Sequence, residues 1–167
     1  KWINPVPLSD NIAPTEKQPD GQVLCGQVHD PLARILNGGI SGNAGVFSCA
    51  EDIAILCAAL QNGGEWNGHR ILSPQGVKTM RTVPRATAGL GRSPGWDVCS
   101  PYASNAGDFF SPNTYGHTGY TGTSVVIDPD NDTSVILLTN AVHPEDGHSV
   151  VRLRSLVANA VAASLYP

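Results

Sequence analysis

The stretch T-S-V-V-I-D (Thr123–Asp128), P-D-N-D (129–132), T-S-V-I-L-L-T (133–139) decides how the chain is built. Two β-branched, apolar runs of strand length flank four turn-forming residues, the pattern of an antiparallel hairpin. Neither run alternates polar with apolar, so both faces of the sheet are expected to be covered, and helices should pack on it. The C-terminal segment offers one: Val150, Leu153, Val157, Ala160, Val161 and Ser164 fall on one face of a helix over 146–165. Upstream, Ser48 with Glu51 three residues on forms a capping-box pattern. Ile53, Leu56, Cys57 and Leu60 then follow at helical spacing, and Asn62-Gly63-Gly64 supplies a stop, which predicts a helix over 49–61.

Between these anchors the chain turns often, as 18 glycines and 13 prolines require. Asn67-Gly68 marks a small hairpin, and Ser73-Pro74 starts a short helix reaching about Arg81. Residues 96–99 are expected as a strand, whereas 1–24, 84–94 and 100–114 read as irregular. The fold class is α+β, an antiparallel sheet with flanking helices in one domain.

Composition narrows the function. Of 167 residues, 41% are hydrophobic and 14% charged, against about 25% charged in average globular chains, so disorder is excluded. The net charge is −4 and no basic stripe is present, which argues against a nucleic-acid partner. No apolar run approaches the roughly 18 residues of a membrane span. The only methionine is Met80, so the chain reads as a piece of something larger. Four cysteines (Cys25, Cys49, Cys57, Cys99) form no C-x-x-C pair, and the five histidines lack metal-ligand spacing. Neither a metal nor a cofactor is expected. Disulfide pairing and cellular compartment stay open.

The segment with the densest chemistry is Y-G-H-T-G-Y-T-G-T (115–123), an imidazole and several hydroxyls among three glycines just before a buried strand. Glycines there let a ligand approach the backbone and reach its N–H donors. The same composition also suits a glycine-rich turn with an exposed histidine, and residue types alone do not choose between the two.

A family resemblance adds to this reading. H-T-G-Y-T-G-T-S-V-V-I-D-P (117–129) resembles the third motif and following hairpin of the serine β-lactamase and penicillin-binding-protein superfamily. I-A-P-T-E (12–16), G-Q-V-H-D (26–30), G-G-I-S-G-N-A-G-V-F-S-C-A-E-D-I-A (38–54) and G-W-D (95–97) are similar to the second half of its class-C-type members, which include esterases and peptidases. The resemblance implies the C-terminal portion of a β-lactamase/transpeptidase-like fold spanning residues 1–167. It also implies acyl transfer through a serine on a small ester, amide or β-lactam. By carry-over, His117 and Thr118 face the substrate, Gly119 permits close approach, and the Tyr120 backbone N–H is an oxyanion-hole donor. Imidazole has a reference pKa of about 6.5 against about 10.4 for the lysine often found at position 117, so looser selection for anionic substrates is expected.

The chain departs from the family in one decisive way. No serine is followed by lysine three residues later, and no Y-x-N occurs. Ser149 has Arg152 at that spacing, but guanidinium cannot act as a base. Ser9-Asp10-Asn11 spells a variant of the second motif but directly precedes I-A-P-T-E, on the wrong side of it. No catalytic side chain is therefore expected here, and the polypeptide alone should be inactive. Its expected partner is the remaining part of the same protein, or a second copy. The rival reading is a non-catalytic binding module that retains the sheet.

Overall fold

The computed structural model describes residues 11–101 and 103–165. The chain forms two compact units. One comprises 1–49, 120–122 and 139–149; the other comprises 50–119, 123–138 and 150–167.

The second unit opens with α1 (Ala50–Gln61). It stops where Gly63 and Gly64 take φ of +64° and +90°, and the Gly64 N–H returns to the Ala59 carbonyl at 2.7 Å, satisfying an otherwise orphan acceptor. Strands β1 (Glu65–Trp66) and β2 (His69–Arg70) follow, joined through Asn67 and Gly68. Both turn residues have positive φ, +48° and +78°, as a tight two-residue hairpin needs. In α2 (Pro74–Arg81) the Ser73 hydroxyl accepts from the Gly76 N–H at 3.0 Å, the cap that the Ser-Pro pair predicts.

The sheet is β3 (Tyr115–Thr118), β4 (Thr123–Asp128) and β5 (Thr133–Leu138), antiparallel and in that order. Its register pairs Tyr115 with Ile127 and Val125 with Ile136, which places these four on one face. There they meet Cys57, Leu60 and Val77 from α1 and α2 in the core. Burial raises the pKa of the Cys57 thiol, and a hydrogen bond with Ser134 offsets part of that. At the end of β4 the carboxylate of Asp128 is fully buried. It accepts from the Ser111 N–H and hydroxyl, the Asp130 N–H and the Asn131 side-chain amide. Burial opposes its charge, but the four donors outweigh that and hold the carboxyl below its usual range. The hairpin is thus fastened to the 111–113 loop by an ionised side chain.

Two expectations are corrected. Residues 96–99 form no strand; only Asp97 pairs, with Arg92 and with Gly116 at the outer edge of β3, the latter through bonds of 2.8 and 2.9 Å. The last helix, α3 (Val151–Leu165), begins five residues after position 146 and buries a different stripe. Arg154, Ala158 and Ala162 face inward, while Leu153 and Leu156 are exposed. The physical reason is Arg154, whose guanidinium is drawn inside by carbonyl oxygens, so that small alanines on the same stripe pack closest.

In the first unit the chain between residues 15 and 24 doubles back, with the Thr15 N–H on the Leu24 carbonyl at 2.7 Å. The Asp30 carboxylate caps the short turn Leu32–Leu36 by accepting from the Ala33 N–H at 2.7 Å. Residues 120–122 join this unit through the Ala141 N–H, which donates to the Thr121 carbonyl at 2.8 Å. Leu24, Val28, Ala33, Ala141 and Val142 are buried, whereas Leu32, Ile35, Leu36 and Ile40 stand in solvent.

Candidate active site

The expected wall begins at the C-terminal end of β3. His117 is exposed there, on the face shared with Val125. Its Nδ1 lies 3.0 Å from the Thr118 carbonyl oxygen, and its Nε2 lies 3.2 Å from Arg92 Nη1. A carbonyl only accepts and a guanidinium only donates, so in these contacts Nδ1 donates and Nε2 accepts. The positive charge at this position is Arg92.

Arg92 is placed by its neighbours. Gly91 has φ +63°, and a Cβ there would lie 2.4 Å from the Cys99 carbonyl carbon, so only glycine fits. The Val98 and Cys99 N–H groups both donate to the Gly91 carbonyl, at 3.0 and 2.9 Å, closing the loop. Asp97 then ties that loop to Gly116 of β3 and faces Arg92 Nη2 at 3.6 Å. The Asp97 carboxylate is buried and accepts from the Ser100 hydroxyl at 2.7 Å. Trp96 meets Tyr115 edge to face at 5.3 Å. The result is a row of Asp97, Arg92 and His117, with a cation between a buried carboxylate and an exposed imidazole. Such a cation suits an incoming carboxylate or oxyanion.

The remaining expected residues are divided. Thr118 ends β3, and the Gly119 N–H closes on the Thr123 carbonyl at 2.7 Å. A Cβ on Gly119 would fall 2.4 Å from Thr123 Oγ1, so the glycine leaves room for its own hairpin. Tyr120 belongs to the other compact unit. Its ring stacks on His29 at 5.8 Å, and its hydroxyl donates to Asp146 at 2.5 Å. That hydrogen bond, reinforced by the Asp146 charge, raises the phenol's pKa and lowers that of Asp146. His29 in turn donates through Nε2 to Glu16 at 3.1 Å. Ser9 and Asp10 lie outside the described residues. Among the described residues no three histidine, cysteine or acidic side chains converge as a metal-binding set.

The family model described as Beta-lactamase matches residues 4–159. The chain belongs to the beta-lactamase family. Among curated relatives, a putative D-alanyl-D-alanine carboxypeptidase of Escherichia coli K12 is 43% identical over 122 residues, covering 72% of this chain and 28% of that protein. A protein of the same name from Salmonella agona is 38% identical over 147 residues, covering 86% of this chain and 33% of its own length. This beta-lactamase-family chain therefore spans a third or less of those relatives. A beta-lactamase structure from Mycobacterium bovis shares the fold with a TM-score of 0.56 and 22% identity, over 74% of this chain and 47% of that one.

Sequence reasoning missed Arg92 and Arg154. The first lies in a loop without periodicity, and its only signal was proximity to G-W-D. The second carries a charge at a position that periodicity treats as solvent-facing.

Proposed function

We propose that this chain supplies the substrate-binding wall of a serine acyl-transfer hydrolase acting on an ester, amide or β-lactam that carries an anionic group. The observation that carries the reading is the placement of Arg92 against His117 at 3.2 Å. A lysine at position 117 would bring its own charge. Here the imidazole and the neighbouring guanidinium divide the task, one shaping the pocket wall and the other attracting the anion. Selection for anionic substrates is then supplied by Arg92, contrary to what the histidine alone suggests. The name of the relatives supports the same substrate class, because a D-alanyl-D-alanine terminus ends in a carboxylate.

Chemistry needs a nucleophile, and the chain has no S-x-x-K. The attacking serine and its base would come from the rest of the protein, and the Tyr120 N–H would help to hold the oxyanion. A fluorescent penicillin, which acylates active-site serines, tests this. A longer polypeptide carrying S-x-x-K upstream is expected to be labelled, and the 167-residue chain to stay unlabelled. Labelling of the short chain would overturn the assignment of the nucleophile. A longer polypeptide that neither takes the label nor hydrolyses p-nitrophenyl acetate would favour a non-catalytic binding module.

A further inference from the structure

Arg154 is the most unusual buried group in the second unit. It is 7% exposed. Burial lowers its pKa from the ordinary arginine value. The groups that accept from its guanidinium are neutral: Nη1 donates to Asn105 Oδ1 at 3.3 Å, and Nη2 donates to the carbonyls of Gly119 at 2.8 Å and Thr123 at 3.0 Å. Among the described residues Nε finds no partner. A cation held this way is costly to bury, and packing alone would be better served by an apolar side chain. Its contacts therefore point to a local task.

The Gly119 carbonyl belongs to the same peptide group as the Tyr120 N–H. A trans peptide is planar, with its C=O and N–H directed oppositely, so fixing one end of the group fixes the other. Arg154 draws the Gly119 oxygen toward α3 and thereby turns the Tyr120 N–H away from it. No backbone acceptor among the described residues takes up that N–H. The second bond, to Thr123, keeps the turn from relaxing, because the Thr123 carbonyl also accepts from the Gly119 N–H at 2.7 Å. A positive charge on the carbonyl also polarises the amide and strengthens its N–H as a donor.

We propose that Arg154 is a positioning residue that aims and polarises the Tyr120 N–H for oxyanion binding, acting from a helix that does not itself touch the substrate. This rests on the reading of that N–H as an oxyanion donor.

The test uses a longer polypeptide carrying S-x-x-K, with p-nitrophenyl acetate as substrate, which lacks a carboxylate and so leaves Arg92 out of the measurement. Arg154→Gln is expected to lower kcat by on the order of 10²-fold, the loss typical of one missing oxyanion donor, with KM within about twofold. Arg154→Lys, which keeps a cationic donor in reach of one carbonyl, should recover most of it. Ala162→Gly weakens the same helix without touching Gly119 and should leave kcat near wild type at a temperature where all variants are folded. Equal kcat losses in Arg154→Gln and Ala162→Gly would show a merely structural role and overturn the proposal; so would an unchanged kcat in Arg154→Gln. Should Arg154→Gln not fold, Arg154→Met, which removes both bonds but keeps an apolar stem to pack, is judged by NMR, where an unmoved Tyr120 amide proton shift together with wild-type kcat overturns the proposal. A wild-type polypeptide without any hydrolysis would instead remove the underlying functional reading.

Discussion

Arg92 Nη1 approaches His117 Nε2 to 3.2 Å while Nη2 of the same guanidinium faces Asp97 at 3.6 Å. One arginine thus spans a buried carboxylate on a loop and an exposed imidazole on a strand end. The loop is fixed to the strand by the Asp97–Gly116 bridge, so the geometry is set by backbone as much as by side chains. This relationship sets a guanidinium charge beside the imidazole at position 117.

If Arg92 binds an anionic substrate group, its removal should discriminate between substrates. In a longer polypeptide carrying S-x-x-K, Arg92→Gln is expected to raise KM for a penicillin by about 10–100-fold, the equivalent of one charge-assisted hydrogen bond. Hydrolysis of p-nitrophenyl acetate should change by less than about threefold, since that ester offers no anion. The Arg92–Asp97 contact is long and partly solvated, so its loss should cost about 0–1 kcal/mol of stability. Parallel losses on both substrates would remove Arg92 from substrate recognition.

Asp128 makes a stability prediction with a definite sign. Its carboxyl is held below the usual 3.8 by Ser111, Asn131 and Asp130 despite burial. Between the folded and unfolded values the unfolded chain binds more protons, so this contribution to stability is present above the unfolded value and fades as pH falls through the folded one. Urea midpoints of the wild-type chain should fall as pH drops below about 4. Asp128→Asn should be less stable at pH 7 by about 2–4 kcal/mol, because donors that met a carboxylate would meet an amide. It should also show a shallower loss in acid. An Asp128→Asn protein with wild-type pH dependence would contradict this account.

How far could these features be read from the residues alone? The hairpin 123–138, α1 and α2 were legible because periodicity and turn chemistry agree at each: apolar runs for the sheet, Asn62-Gly63-Gly64 for the stop, Ser73-Pro74 for the start. The β1–β2 turn was legible for the same reason, since Asn-Gly tolerates positive φ. The buried face of α3 was not. Periodicity ranks residues by polarity, and it placed Leu153 inside and Arg154 outside. The structure reverses this because three neutral acceptors converge on the guanidinium. Arg92 was hidden for a different reason: a loop residue becomes a site residue only through the backbone bridge that carries it to β3, and residues 92 and 117 are too far apart in sequence for any local pattern to join them.

Tyr120 and Asp146 offer a prediction within the first unit. The hydrogen bond to Asp146 and the charge it carries raise the phenol's pKa. The neutral phenol is the form that donates, so the contact persists below the ordinary tyrosine value and is lost only as pH rises through the raised one. In Asp146→Asn the tyrosine should ionise at lower pH than in the wild-type chain. A ¹³C ring-resonance titration of Tyr120 reads this directly, apart from the other three tyrosines. An unmoved midpoint would mean that the two side chains do not meet in solution.

The loop that presents Arg92 can be tested without any substrate. Gly91 has φ +63° and its missing Cβ would lie 2.4 Å from the Cys99 carbonyl carbon and from the Ser100 nitrogen, whereas a Cβ on Gly89 would meet nothing within 4 Å. Gly91→Ala therefore combines a strained left-handed conformation with a clash against backbone that cannot swing aside. A loss of about 2–4 kcal/mol is expected, read as a fall in Tm of roughly 2–4 °C for each kcal/mol in a chain of this size. Gly89→Ala adds a side chain in open space and stiffens the unfolded chain, so it should be neutral or stabilise by up to about 1 kcal/mol. The contrast between two glycines two residues apart separates a requirement for glycine at 91 from a general sensitivity of the loop. Because the Gly91 carbonyl gathers the Val98 and Cys99 N–H groups, Gly91→Ala should also release Arg92 from His117. In a longer polypeptide carrying S-x-x-K the penicillin KM should then rise as it does in Arg92→Gln, while Gly89→Ala stays at the wild-type value. Equal Tm shifts in the two alanine variants would show that the close approach at Gly91 does not hold the loop.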